Sequence, residues 1–205
     1  MKSTKTILSL LGAAALAVAA RATVVTLDTS SLTAGATYYV DFQLNNGSGN
    51  AGNSATISSF HFGTGDVGVP TDIGLIGSAA GDLSSTVWLD DSSAFNEFFQ
   101  SFTAGNYLSF DLTLTNNLDG PVPDIFGFAI LDADLFNLAT FSPIADQFLI
   151  VELNGGPQVF QTYAGVDGIP TPMVPDAGST ILLVAGAAIG LAGVRRRLAR
   201  AAIVA

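Results

Sequence analysis

The regular alternation of apolar and polar residues in short runs limits most strongly what this chain can fold into. From residue 108 to residue 114 every second side chain is apolar, and polar side chains fill the positions between them. Residues 38–44 repeat this pattern, and glycine, asparagine, aspartate and serine separate the runs. Alternation of this kind is typical of strands that bury one face. The sequence therefore predicts an all-β domain, an antiparallel β-sandwich of jelly-roll or immunoglobulin-like type.

Two stretches of the domain lack this simple alternation. Four phenylalanines recur at helical spacing: Phe95, Phe98, Phe99 and Phe102. Ser92 or Ser93 could cap a helix start, so the pattern favours a short helix or turn over 91–102, and a strand packed between two sheets is the alternative. The glycine-rich residues 63–81 predict a long irregular loop. A change of phase between Ile57 and Phe60 predicts a β-bulge near Ser58 and Ser59.

Charge is divided sharply between the ends of the chain and its middle. All seven lysines and arginines lie outside residues 23–173, whereas 16 of the 17 acidic residues lie inside that range. Because binding to phosphates requires Lys or Arg, we expect no nucleic acid partner. The chain has no cysteine, which excludes disulfides, thiol catalysis and cysteine-ligated zinc.

Residues 1–22 have the pattern of a secretory signal peptide. Lys2 and Lys5 precede an apolar stretch over 7–20, and Ala20 and Ala22 supply small residues at the positions that signal peptidase reads. Cleavage after Ala22 would leave a domain over 23–164. The alternative, a permanent N-terminal anchor, is disfavoured because the apolar stretch is short.

The C-terminal residues divide into a linker and a membrane-directed tail. Residues 165–173 form a linker rich in glycine and proline, and residues 177–194 carry no charge. As a helix, the uncharged run would span roughly 27 Å, close to the thickness of a bilayer core. Arg195, Arg196 and Arg197 follow it, within a basic cluster over 195–200. Basic flanks lie on the cytoplasmic side, so the sequence predicts a transmembrane helix with the domain outside the inner membrane.

The tail at 174–205 begins with a short polar motif before the apolar run. Its residues are Val174, Pro175, Asp176, Ala177, Gly178, Ser179 and Thr180. The order of motif, apolar span and arginine cluster resembles the PEP-CTERM sorting signals of Gram-negative bacteria, in their VPDSG-CTERM variant. The chain differs from the commonest form by having Asp176 in place of glutamate and no second proline after it.

The resemblance implies that the chain is a substrate of exosortase, a membrane transpeptidase that removes the tail. It further implies that the protein is anchored in the inner membrane only transiently and is then delivered to the cell surface or the exopolysaccharide matrix. The alternative is a plain C-terminal membrane anchor that the mature protein retains.

Candidate catalytic residues are few. His61 is the only histidine, and it stands in a strand pattern with no Gly-x-Ser-x-Gly motif elsewhere in the chain. Carboxylate pairs occur at Asp90 and Asp91 and at Asp132 and Asp134, but 16 acids in one domain produce such pairs by chance. We therefore predict that the protein is not an enzyme.

Calcium is the one cofactor that suits this composition, because hard oxygen ligands are plentiful. The candidate ligands are Asp132 and Asp134, with the loop at 45–50 and the pair Asp90 and Asp91 as further possibilities. None of these groups has the spacing of an EF-hand, and solvated acidic loops are the simpler interpretation.

The sequence thus predicts an exported protein of the surface or matrix, structural or adhesive within exopolysaccharide or biofilm. A calcium-assisted carbohydrate-binding module is the alternative. Trp88, Tyr107 and Tyr163 are aromatic candidates for stacking on sugar rings. Two or three aromatic residues on one exposed face, beside a carboxylate cluster, would favour that alternative.

Overall fold

The computed structural model of the protein describes residues 22–69 and 71–175, and all the regular structure in these ranges is β-strand. The predicted signal peptide up to residue 21 and the tail from Asp176 onward lie outside the described residues. None of the described segments is a helix long and apolar enough to cross a bilayer.

The described residues form twelve strands. Their bounds are β1 (Thr23–Asp28), β2 (Thr37–Asn45), β3 (Ser54–His61), β4 (Asp66–Val67), β5 (Ile73–Ile76), β6 (Ala79–Gly81), β7 (Thr86–Asp90), β8 (Phe95–Thr103), β9 (Tyr107–Leu114), β10 (Asp124–Leu131), β11 (Leu149–Leu153) and β12 (Phe160–Thr162).

These strands form two antiparallel sheets. The five-stranded sheet has the order β1-β9-β3-β7-β6, and the seven-stranded sheet has the order β12-β11-β10-β2-β8-β4, with β5 also paired to β8. The prediction of an all-β fold with two antiparallel sheets, as in a β-sandwich, is therefore confirmed. The choice between a jelly-roll and an immunoglobulin-like arrangement stays a prediction.

Phenylalanine rings fill the space between the sheets. Phe42 of β2 lies at the centre of the cluster, with its ring centroid 5.1 Å from that of Phe110 on β9 and 5.4 Å from that of Phe128 on β10. All three side chains are at most 1% exposed. Each such burial contributes roughly 1.5–3 kcal/mol, so these rings hold the two sheets together.

A β-bulge interrupts β3, as predicted. The pairing of β3 with β9 shifts register between Ser58 and His61, and Ser59 has a φ of 56°. The extra residue turns Phe60 back toward the core, where its ring lies 6.2 Å from that of Phe42.

The preference for a helix or turn over 91–102 is wrong, because most of this stretch belongs to β8. Phe98 and Phe102 face the core, whereas Phe95 and Phe99 lie on the opposite face. A separation of four residues returns to the same face in a strand as well as in a helix. The phenylalanine spacing therefore fitted both structures, and pairing with β2 along the whole of β8 selected the strand.

The prediction of one long irregular loop over 63–81 is also wrong in part. β4 and β5 pair with β8, and β6 pairs with β7. These strands are only two to four residues long. Their sequences are too short to show alternation, and the edges of already formed sheets supply the pairing partners.

The predicted linker at 165–173 packs against the domain. Ile169 is 2% exposed and belongs to the core, and Met173 exchanges two backbone hydrogen bonds with Thr26 at N···O distances of 2.7 and 3.0 Å. The segment therefore lies along the free edge of β1. It brings the last described residues next to the first strand of the domain.

Candidate functional site

The outer face of the seven-stranded sheet carries a group of side chains that the inter-sheet core does not use. On β2 it presents Tyr39, Asp41 and Gln43, which alternate with the core residues Val40 and Phe42. The cross-strand partners of these three residues share the same face: Ser101, Phe99 and Glu97 on β8, and Leu131, Ala129 and Gly127 on β10. We call these nine residues, together with Gln147, the outer face.

Asp41 lies at the bottom of the outer face. It is 1% exposed, and its Oδ2 accepts a hydrogen bond of 2.7 Å from Gln43 Nε2, whereas its Oδ1 is buried without a hydrogen-bond partner in the described structure. Burial, together with the charge of Glu97, raises the pKa of Asp41 to about 7, although the bond from Gln43 works in the opposite direction. A buried oxygen without a partner is costly, and Glu97 lies close enough to bond with Asp41 when Asp41 holds a proton.

Gln43 connects the polar groups of the outer face. Its Nε2 also donates to Glu97 Oε1 at 3.2 Å, and its Oε1 accepts from Gln147 Nε2 at 3.2 Å. Glu97 is half-buried, and this burial raises its pKa above the ordinary value. Hydrogen bonds thus link a carboxyl group on β8 through Gln43 to an amide that lies over β10.

Two glycines provide a flat floor beneath the side chains of this face. A Cβ atom at Gly127 would overlap the amide of Gln147, and one at Gly74 of β5 would overlap the ring of Phe99. The amide and the ring therefore lie directly on the backbone of neighbouring strands. Glycine is needed at these two positions for close approach, a common role of glycine inside a strand.

Aromatic side chains share this face with the hydrogen-bonded groups of Gln43, Glu97 and Gln147. The rings of Tyr39 and Phe99 are 6.3 Å apart at 71°, and both side chains are half-buried. Farther along the sheet, the Tyr163 hydroxyl donates to Gln161 Oε1 at 2.9 Å, and Gln161 is the cross-strand partner of Ile150. The outer face thus combines aromatic rings, amides and carboxyl groups on a shallow surface.

The structure places the predicted calcium ligands Asp132 and Asp134 in a turn after β10. Asp132 Oδ1 accepts from the backbone amides of Asp134 at 2.9 Å and Phe136 at 3.0 Å, and Asp134 is exposed. Within residues 22–69 and 71–175, no group of three or more His, Cys, Asp or Glu side chains is arranged to hold a metal ion. Binding of calcium by these two aspartates stays a prediction.

Of the further calcium candidates, the loop at 45–50 is bonded to Asp124 and to the backbone of Asp91, whereas the Asp90 carboxylate accepts from the Ser92 amide at 2.9 Å. Asp124 Oδ1 accepts from the Gly47 amide at 2.7 Å, and Asp124 Oδ2 accepts from Asn53 Nδ2 at 2.7 Å. Asp91 Oδ2 accepts from the Asn53 amide at 2.8 Å. Asp91 and Asp124 are both buried; the Asp124 carboxylate holds the loop at 45–50 through Gly47, and the Asp91 carboxylate holds Asn53 just before β3.

Several predicted positions lie away from the outer face. Trp88 and Tyr107 are 40% and 38% exposed on strands of the five-stranded sheet, and His61 is exposed at the end of β3. Of the sorting motif the structure describes only Val174, which packs against the core, and Pro175. Gly178, Ser179, Arg195–Arg197 and Ala20 lie outside the described residues, and Ala22 is exposed.

Sequence reasoning missed the central residues of this face, namely Asp41, Gln43 and Glu97. The first two were visible as the polar half of the alternation over 38–44. The sequence did not place Glu97 beside them, because a helix over 91–102 would not pair with β2, whereas the strand β8 pairs Glu97 with Gln43. Comparison with protein-family models, with curated proteins and with solved structures finds no match for this chain.

Proposed function

We propose that this protein is an exported, non-catalytic component of the cell surface or extracellular matrix, structural or adhesive within exopolysaccharide or biofilm. A signal peptide at 1–22 starts its export. The tail at 174–205 then holds it in the inner membrane until exosortase removes that tail. The mature protein is the sandwich domain, acting through its surfaces.

The observation that carries this proposal is the division of charge along the chain. All seven lysines and arginines flank the domain, whose residues 23–173 include 16 acids and no Lys or Arg. Basic residues at both ends fit a secretory start and a cytoplasmic tail flank. A domain without cations is unsuited to nucleic acid, and trypsin-like proteases find no cleavage site within it. These properties suit a protein that stays outside the cell.

The geometry of the carboxyl groups supports a binding role over a catalytic one. The buried Asp91 and Asp124 are held by amides from Asn53 and Gly47, and the Asp132 carboxylate shapes a turn. The remaining candidate pair, Asp41 and Glu97, bonds to one amide on a shallow sheet face. An open face with donors, acceptors and rings is suited to holding an extended ligand.

Intact mass of the protein recovered from the surface fraction and from the medium tests this proposal. We expect a chain that begins after Ala22 and lacks the tail that follows the motif at 174–180. Substitution of Arg195, Arg196 and Arg197 by alanine should leave the tail attached and reduce the amount in the medium, whereas Asp167→Asn, which changes an exposed charge outside the tail, is the control. A full-length chain confined to the cytoplasmic fraction would contradict the proposal.

A further inference from the structure

We infer that the outer face of the seven-stranded sheet is a binding site for a neutral, hydroxyl-bearing polysaccharide chain. Tyr39 and Phe99 supply the surfaces for stacking, and Glu97 with Gln147 supplies hydrogen-bonding groups. This inference rests on the proposed function, because it names the class of matrix component that the exported domain holds.

The first argument is that the outer face has buried residues of its own, separate from the core between the two sheets. Ala129 is 1% exposed, Leu131 is 6% exposed and Ile150 is fully buried, yet none of them belongs to the core between the sheets. Asp41 is buried among them on the same face, with one carboxyl oxygen lacking a partner. These residues are too buried to contact a ligand, so they support the half-buried side chains beside them, Tyr39, Glu97 and Phe99, which a ligand can reach.

The second argument concerns the aromatic rings. Phe99 is the cross-strand partner of Asp41, and Tyr39 lies two positions before Asp41 on β2; the two ring centroids are 6.3 Å apart and the ring planes are inclined at 71°. Phe99 rests on the bare backbone of Gly74, which fixes its position. The face of an aromatic ring carries partial negative charge, and the C–H groups on one side of a sugar ring are weakly positive. The two half-buried rings therefore offer surfaces for stacking beside polar groups.

The third argument is the hydrogen-bonding capacity that remains after the internal bonds are made. Glu97 accepts a bond from Gln43 and lies within hydrogen-bonding reach of the Asp41 carboxyl group, whereas an ionised carboxylate has about four acceptor positions. Gln147 Nε2 donates one of its two hydrogens to Gln43. Sugar hydroxyl groups donate and accept, and their bonds to a carboxylate are charge-assisted and correspondingly strong. The half-buried Glu97 thus retains acceptor positions for hydroxyl groups of a chain, and Gln147, which is 6% exposed, retains one donor hydrogen.

The fourth argument is charge, which selects among polysaccharides. The domain has 16 acids and no Lys or Arg, so an acidic polysaccharide would meet repulsion with no basic side chain to offset it. Direct hydrogen bonding to Glu97 also favours a donor-rich, uncharged ligand. A neutral chain is therefore favoured over an acidic one.

The test uses exopolysaccharide from the cells that make the protein, separated by anion exchange into neutral and acidic fractions. The protein is purified as these cells produce it, and co-sedimentation is measured with each fraction. We expect saturable binding to the neutral fraction that persists in a chelator of divalent cations. Tyr39→Ala and Phe99→Ala should each weaken binding by about 5- to 100-fold, the range for loss of one stacking ring.

Three variants serve as controls. Tyr39→Phe and Phe99→Tyr retain the rings and should bind within about threefold of the wild type. Trp88→Ala removes an exposed aromatic side chain from the opposite sheet and should leave binding unchanged. The melting temperature of every variant is measured, so that a loss of binding can be distinguished from a loss of the fold.

Absence of binding to the neutral fraction overturns the inference, as does binding to the acidic fraction alone. Loss of binding in the chelator also overturns it, because a bridging cation would then replace the direct contacts. Binding that is insensitive to Tyr39→Ala and Phe99→Ala removes the site from this face. An exported and processed protein that binds neither fraction contradicts this inference alone, whereas a protein retained inside the cell contradicts the proposed function.

Discussion

At the scale of single residues, Asp41 is a carboxyl group whose burial is costly. It is 1% exposed, one of its oxygens has no partner, and its neighbour Glu97 is also acidic. Burial together with Glu97 raises its pKa to about 7, so a proton is bound to this carboxyl group in mild acid. Gln43 holds the other oxygen and limits the cost.

Replacement of Asp41 by asparagine should stabilise the domain in mildly basic solution. The pKa of Asp41 is about 7 in the fold against the ordinary 3.8, so folding takes up a proton between these values. The stability that the bound proton of Asp41 contributes is fully present below pH 3.8 and is lost as the pH rises through about 7. At high pH the free energy of unfolding of Asp41→Asn should exceed that of the wild type by up to about 4 kcal/mol. Chemical unfolding of both proteins from pH 4 to pH 9 measures it.

Asp134→Asn is the matched control for this measurement. It removes the same charge from an exposed position and should leave the pH dependence of the wild type in place. If the free energies of unfolding of the wild type and of Asp41→Asn run parallel from pH 4 to pH 9, the pKa of Asp41 is not raised in the fold.

At the scale of elements, the segment after β12 acts as part of the domain rather than as a spacer. Ile169 enters the core, the Gly165 amide donates to the Ile169 carbonyl at 2.8 Å, and Met173 pairs with Thr26 on β1. The edge of the five-stranded sheet is thereby covered by backbone from the same chain. Covering of an edge in this way reduces pairing between copies.

Ile169→Ala tests this role of the segment. Removal of a buried isoleucine side chain should lower the free energy of unfolding by about 2–4 kcal/mol, because a cavity replaces core contacts. Val166→Ala, at a position that is 53% exposed in the same segment, should change it by less than about 0.5 kcal/mol. Equal and small effects of both substitutions would mean that residues 165–173 form only a spacer.

At the scale of the whole molecule, the domain has no internal charge compensation. Its 16 carboxyl groups have no lysine or arginine among residues 23–173, so ion pairs to such residues are impossible within it. The buried carboxyl groups rely on amides instead, as Asp91 and Asp124 do with Asn53. Repulsion among the exposed acids lowers the stability of the compact state.

The melting temperature should therefore rise with salt. At 20 mM NaCl the exposed acids repel one another over long distances, whereas at 500 mM screening limits the repulsion to a few ångströms. Each 1 kcal/mol of repulsion removed raises the melting temperature by about 2–4 °C for a domain of this size. Scanning calorimetry of the wild type at several salt concentrations measures this slope.

The double variant Asp134→Asn and Asp167→Asn is the control for the salt experiment, since both side chains are exposed. It should melt higher than the wild type at low salt and respond less to added NaCl. A wild-type melting temperature that is constant or falls with NaCl would show that repulsion does not limit the stability.

The sequence by itself was sufficient for the strands with clear alternation. β2 and β9 were predicted close to their bounds, and so was the bulge in β3, because one buried face imposes a period of two that local pattern reveals. The class of the fold followed from the number of such runs. The charge division, on which the proposed function depends, is likewise a property of the sequence.

Only the tertiary structure decided β8, the short strands β4 to β6 and the outer face. Four-residue spacing of phenylalanines fits a helix or a strand, and pairing with β2 resolved it. That pairing then set Glu97 beside Gln43, and the turn before β11 laid Gln147 over Gly127. Strand register brings together Gln43 and Glu97, which are 54 positions apart in the sequence, and the turn brings Gln147 to Gln43 from 104 positions away. Local periodicity carries no information about which strands become neighbours.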